Sequence, residues 1–371
     1  VSELFPNVIG HEGIKERIYS IISSGNVPHA FLFSGKEGIG KFNMALEIIK
    51  YLNTRSQTET EYIENQIRNL RAPFINYIFP LPRGKNETVS DNPYASLDEK
   101  TLQEIQNELR KKIDNPYYEI KLNSAQNIKI SSIRALKKHL SINKKDIAYS
   151  AIIIDKAELM STEAQNSLLK NLEEPPEGVI FFLLTKDESL LLPTIKSRCW
   201  TVNFSNLTKR EVETVLVRYF DVDETTAKKV SPFANGSIKE ASLFLEENSF
   251  ALIDLIIEFL RNAIGGNFNS AYALLEEMLS ITENNLPLII NLTVLWLEDA
   301  LLEKYQAENE YSFDMHKDTF IRYNRAFPNA DIIRSIEILQ RYANTIKQNV
   351  SLKIILMNII FQLSTLGKRQ L

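Results

Sequence analysis

Cysteine is almost absent: Cys199 is the only one in 371 residues. Neither an internal disulfide nor a cysteine-based zinc site can form, and a reducing, cytoplasmic setting is expected. Glycine and proline are sparse, 12 and 13, which argues against disorder and against a turn-rich all-β chain and favours helix. Neither sign of charge dominates, with 43 Lys plus Arg against 47 Asp plus Glu. Net charge thus excludes a strongly basic, non-specific nucleic-acid binder, although not a local basic face. A membrane-spanning run is missing too. The most apolar late stretch, 350–363, is broken by Lys353, Asn358 and Gln362. It is shorter than the roughly 20 residues a span needs and reads as a buried helix. The opening Val1-Ser2-Glu3-Leu4-Phe5-Pro6 has no basic segment and no long apolar run, so no targeting signal is expected.

What is present suggests two to three domains at this length. Ala30–Ser34, Ala151–Asp155, Val179–Leu184 and Trp200–Phe204 are short apolar runs separated by helical patterns, as in Met44, Ile48 and Leu52 at spacings of four. Continuous rather than alternating runs mark strands buried on both faces, so the chain to residue 205 reads as a parallel α/β sheet. Phe74–Phe79 and Tyr117–Leu122 are both strand-like; the first is the preferred remaining core strand. The polar stretch Pro80–Pro93 between them reads as a surface insertion. Residues 206–247 read as short helices with breaks at Asp221, Pro232 and Gly236. Beyond Phe250 every segment is helical. Ile332, Ile336, Leu339, Ala343 and Ile346 form one helix stripe that must pack on something.

Gly35-Lys36-Glu37-Gly38-Ile39-Gly40-Lys41-Phe42 matches G-x-x-x-x-G-K and lacks the Ser or Thr that follows, in the required strand-to-helix setting. Backbone N–H groups of such a loop surround phosphates, and Lys41 would reach the outer ones. The missing hydroxyl would ligate Mg²⁺, so ATP hydrolysis by this chain is expected to be poor or absent. Asp155 sits where a magnesium-linked carboxylate belongs. The next position, which should polarise water, is Lys156, and Glu158 follows one turn later. A helix N-cap role for Asp155 is the plain alternative.

Leu168-Leu169-Lys170-Asn171-Leu172-Glu173-Glu174-Pro175-Pro176 and Thr194-Ile195-Lys196-Ser197-Arg198-Cys199 resemble two segments of the clamp-loader subunits of the AAA+ family. Val8-Ile9-Gly10-His11-Glu12 and His29–Gly35 resemble the start of the same domain. Within that family of bacterial DNA polymerase III subunits the chain looks most like the delta-prime type. It departs in lacking the cysteine-rich zinc module, whose place residues 54–123 fill without cysteines. It also departs in carrying Lys239 where active relatives have a nucleotide-sensing arginine.

The resemblance implies an AAA+ P-loop-like module over 1–205, a small helical lid over 206–247 and an all-α collar over 248–371. It implies a heteropentameric ring with gamma/tau-like ATPase and delta-like neighbours, acting with a sliding clamp and primer-template DNA. Arg198 would be an arginine finger supplied in trans to a neighbour's nucleotide. Gly35, Gly38, Gly40, Lys41, Asp155 and Thr185, the last at the first sensor position, would form a degenerate site for ATP or ADP. No metal site is expected. Ser131, Ser132, Arg134, Ser161 and Thr162 at helix N-termini are candidate DNA contacts, with N-capping as the alternative. Lys137, Lys138, Lys144 and Lys145 read as a solvated face, and Cys199 as a packing residue. The rival expectation is an ATP-hydrolysing gamma/tau-like subunit.

Overall fold

A computed structural model describes residues 5–54, 60–68, 70, 72–84, 92–140, 147–245, 251–282, 284–307, 311–345 and 351–367. Lys144, Lys145 and Ile346 lie outside these residues, as do the side chains of Lys137 and Lys138. The chain divides into two compact units, Val1–Lys239 and Glu240–Leu371.

In the first unit, helix α1 (Glu12–Ser23) precedes strand β1 (Ala30–Ser34), and α2 (Lys41–Thr54) follows the glycine turn. Then come α3 (Thr60–Arg68), β2 (Ile75–Ile78), α4 (Glu99–Asp114), α5 (Ile130–Leu140), β3 (Ser150–Asp155) and α6 (Thr162–Glu173). β4 (Val179–Thr185), α7 (Pro193–Lys196) and β5 (Trp200–Asn203) complete the sheet region. The strands form one parallel sheet in the order β2-β3-β4-β1-β5. β4 is buried along its whole length, as its unbroken apolar run requires. One face packs Leu32, Ile152, Ile154, Phe181 and Leu183 against Leu136, Leu168 and Leu172. On the other, Phe31 stacks on Phe182 with ring centroids 5.3 Å apart, and Phe33 and Trp200 close the aromatic cluster. The fold class read from the sequence is the one observed: a parallel α/β sheet behind a P-loop-type turn, with an all-α C-terminal unit.

Of the two competing segments, Ile75–Ile78 is the strand and pairs with β3; 117–122 is not in the sheet. Because β2 lies within 54–123, that range is not one appended module. It donates a core strand with α3 before it and α4 after it.

Short helices follow the sheet. α8 (Lys209–Phe220) starts at a capping box made by Thr208 and Glu211 and ends where Asp221 turns left-handed. α9 (Glu224–Val230) leads to a 3₁₀ turn containing Pro232, and α10 (Ile238–Leu243) begins just past Gly236.

The second unit is wholly helical among its described residues: α11 (Ala251–Ile264), α12 (Phe268–Ile281), α13 (Leu286–Lys304), α14 (Lys317–Ala326), α15 (Ile332–Thr345) and α16 (Leu352–Thr365). α13 runs through its middle with most of its circumference buried, leaving one face, Pro287, Asn291, Leu295 and Glu298, outside the core. In α15, Ile332 and Leu339 of the expected stripe are buried. α16 departs from the buried helix expected. Ile355, Leu356, Ile359, Ile360 and Leu363 face inward, while Leu352, Ile354, Met357 and Phe361 are exposed. No described helix is long and apolar enough to cross a membrane.

Candidate functional site

The turn Gly35–Gly40 leaves the C-terminal end of β1 and opens α2, the placement that aims loop N–H groups at an anion. Its glycines are required by conformation and by contact. Gly35, Gly38 and Gly40 all have positive φ. A Cβ on Gly38 would lie 2.6 Å from the Lys239 backbone nitrogen. The loop is tied down on several sides. Gly35 N–H donates to the Thr185 carbonyl (3.1 Å), Ile238 N–H to the Gly38 carbonyl (3.2 Å) and Ser237 Oγ to the Glu37 carbonyl (2.8 Å).

Lys41 does not project into open space. Its Nζ donates to the carbonyls of Gly35 and Lys36, inside its own loop. Burial drives the ammonium down to about 8, against the pull of Asp155, Glu37 and Glu158. Phe42 is buried, with its ring 5.0 Å from that of Tyr77 and Lys112 Nζ 4.5 Å from its centroid.

The magnesium donor set does not fit. Position 42 offers no oxygen. The Asp155 carboxylate already accepts from Tyr77 Oη (2.7 Å) and from Lys156 N–H (3.0 Å). Lys156, at positive φ, puts a cation where a water-polarising carboxylate would stand. Among the described residues no cluster of three His, Cys, Asp or Glu side chains could hold a metal ion. Thr185 at the end of β4 is buried. Its hydroxyl donates to Glu158 Oε2 (2.8 Å) and accepts from Asp187 N–H (3.1 Å), so it caps the strand end. Burial raises the Glu158 carboxyl.

Beside the loop lies a charged network that sequence reasoning did not assemble. Glu37 pairs with Lys239 and with Lys186 (3.4 Å); Glu119 pairs with Lys156 (2.5 Å) and Lys239 (3.2 Å). Burial alone would raise Glu37, but Lys239, Lys186 and Lys156 hold it at about 2. The loop, Lys112, Pro116–Glu119, Asp155 and Lys156 together line a half-open cleft with only ≈ 60 Å³ of free space.

Arg198 sits elsewhere. It follows α7 and precedes β5, whose Trp200 is level with Phe31 of β1. Parallel strands advance about 3.3 Å per residue, so at least about 13 Å of strand separates it from its own glycine turn. Its guanidinium pairs with Glu173 (2.7 Å) and donates to the Thr194 carbonyl (2.9 Å). Glu173 belongs to the Leu-Glu-Glu-Pro-Pro segment noted in the sequence, and its pairing with Arg198 is new from the structure. Burial lifts the neighbouring Cys199 thiol to about 12, as suits a packing residue. Of the residues noted for DNA, Ser131 and Ser132 are buried, Arg134 and Thr162 are exposed, and Ser161 caps α6 by accepting from Ala164 N–H (3.2 Å).

The parallel sheet and its glycine-lysine turn define a P-loop-type α/β protein joined to a helical unit. Residues 10–208, more than half of the chain, match the family described as DNA polymerase III, delta subunit, and the chain belongs to that family. It is similar to "DNA polymerase III subunit gamma" of Buchnera aphidicola, 28% identical over 65% of this chain and 57% of that one. It is also similar to "DNA polymerase III subunit tau" of Bacillus subtilis, 24% identical over 66% and 37% respectively. The chain therefore spans well under two thirds of these relatives. Among solved structures, a gamma subunit-related protein of Thermotoga maritima aligns over 95% of this chain and 99% of that one, at 19% identity and a TM-score of 0.43.

Proposed function

We propose that this chain is a non-hydrolysing clamp-loader subunit of the delta-prime type. It stands in a ring with gamma/tau-like and delta-like subunits and helps place a sliding clamp on primer-template DNA. Arg198 serves the nucleotide of the neighbouring ATPase subunit. Residues 248–371 act as the collar that holds the ring, with 206–247 as the lid. Exposed Arg134 and Thr162 are the phosphate contacts of this reading.

One observation carries it. The chain's arginine stands on the far end of the sheet from its own phosphate loop, and that loop lacks the oxygen donors for magnesium. A guanidinium remote from its own loop is free of its own phosphate chemistry, and its planar fork suits a γ-phosphate held by a neighbouring subunit. Reconstitution with candidate loader subunits tests this. Arg198→Ala leaves assembly intact and sharply lowers DNA-stimulated ATPase; unchanged turnover removes the trans role.

A second reading, compatible with relatives named gamma and tau, is an ATP-hydrolysing subunit. Turnover of ATP by the isolated, unaltered chain would establish it.

A further inference from the structure

The phosphate loop is walled by a segment of the same chain. Residues 115–121 pass in front of it and are fixed there by side chains. Asn115 Nδ2 donates to the Tyr219 carbonyl (2.8 Å), and Asn115 Oδ1 accepts from Tyr117 N–H (2.9 Å). Lys112 Nζ donates to the carbonyls of Pro116 and Tyr118, each at 2.8 Å. Glu108 Oε2 accepts from Tyr118 Oη (2.8 Å) and Lys121 N–H (2.7 Å).

Two side chains of this segment address the loop. Tyr117 is buried, with its ring 5.1 Å from that of Tyr219 and its hydroxyl accepting from Ile9 N–H (3.3 Å). Its hydroxyl and ring edge lie 3.3–3.5 Å from where a Gly40 Cβ would stand. Two residues on, the Glu119 carboxylate is gripped by Lys156 and Lys239. We propose that Tyr117 and Glu119 form a built-in surrogate nucleotide, the ring in place of a base and the carboxylate in place of a phosphate. The ligand it displaces is a nucleoside di- or triphosphate.

The chemistry of the pocket matches that substitution. A base site needs a flat ring against apolar surface and one hydrogen bond at its edge. A phosphate site needs an anion paired with lysines. The segment supplies both within three residues, Tyr117 against the loop at Gly40 and Glu119 on Lys156 and Lys239. The lysines facing the loop have carboxylate partners: Glu37 and Glu119 answer Lys156, Lys186 and Lys239. Lys41 is turned onto loop carbonyls. The residual ≈ 60 Å³ has room for water, whereas small-molecule pockets occupy about 300–1,000 Å³.

The proposal rests on the non-hydrolysing reading above and deepens it. Its test uses the isolated full chain and ADP without magnesium, read by calorimetry after circular dichroism has established folding. The unaltered chain gives no heat at about 1 mM ADP, and Tyr117→Ala/Glu119→Gln gains at least about tenfold in affinity. Adding Lys41→Ala to that variant removes the gain. A folded double variant that still ignores ADP overturns the surrogate, as does ADP binding to the unaltered chain. If the double variant does not fold, amide exchange on the unaltered chain decides. Protection of 115–121 equal to that of the loop supports the surrogate, and exchange as fast as in a free peptide overturns it. Arg198 and ring partners enter neither arm, so failure here leaves the trans role standing. Loss of the trans role in the reconstituted assay leaves the surrogate standing.

Discussion

Phe42 stands where a P-loop chain carries a magnesium-binding hydroxyl, and its surroundings explain why a hydroxyl alone restores little. The ring packs on Tyr77, which holds Asp155, and carries Lys112 on its face. Phe42→Thr removes a buried ring and adds a hydroxyl with no metal to bind. We expect a loss of about 3 kcal/mol of stability in a urea titration and no ATP turnover. Glu37 governs a different property. Its carboxyl is held at about 2, below the ordinary 4.5, because burial is outweighed by Lys239, Lys186 and Lys156. A carboxyl depressed by folding contributes stability that is complete above its unfolded pKa and is lost as pH falls through its folded one. Between about pH 4.5 and pH 2 the urea midpoint of the unaltered chain therefore falls. Glu37→Gln is less stable at neutral pH and shows a shallower fall across that window; an identical slope would contradict the pairing.

At the scale of elements, the central strands were legible because β3 and β4 are buried on both faces, which writes an unbroken apolar run into the sequence. The pair 74–79 and 117–122 was not separable that way, since both are rich in apolar and aromatic residues. Side chains decide it. Asn115 and Glu108 satisfy the N–H groups of Tyr117 and Lys121, which removes those backbone donors from any ladder. The glycines and Lys41 of the candidate site were legible from their spacing. The direction of Lys41 was not, because its Nζ turns back onto the carbonyls of Gly35 and Lys36, which spacing alone does not show. α16 shows the same limit: an apolar helix reads alike whether one face or all of it is covered by its own chain. Ile354 and Met357 are exposed on the turns opposite Ile355, Leu356, Ile359 and Ile360. Charging them removes no core contact, so Ile354→Asp/Met357→Asp leaves stability within about 1 kcal/mol. If this face is a collar contact, the same variant fails to enter the reconstituted ring in size-exclusion chromatography. Normal assembly would move the contact elsewhere on the unit.

For the whole molecule, the question is why a fold with a phosphate loop keeps an arginine on the opposite end of its sheet. In the isolated chain that arginine is held by local groups, the Glu173 carboxylate and the Thr194 carbonyl. The pair is partly solvated, with side-chain exposures of 33% and 49%. Such pairs contribute about 1 kcal/mol or less, so folding alone gives position 198 little demand for a guanidinium. A trans role makes a sharper demand, since a planar fork grips two phosphate oxygens and an ammonium offers a single point charge. Arg198→Lys separates the two accounts better than alanine does. It retains the charge, and with it most of the pairing to Glu173, but loses the fork. We expect the lysine variant to melt within a few degrees of the unaltered chain and to assemble normally. ATPase of the assembled ring should nevertheless fall at least about tenfold, close to the alanine variant. If lysine restored the full rate, charge alone would suffice at the seam between subunits. If both variants kept the full rate, Arg198 would be no more than the partner of Glu173.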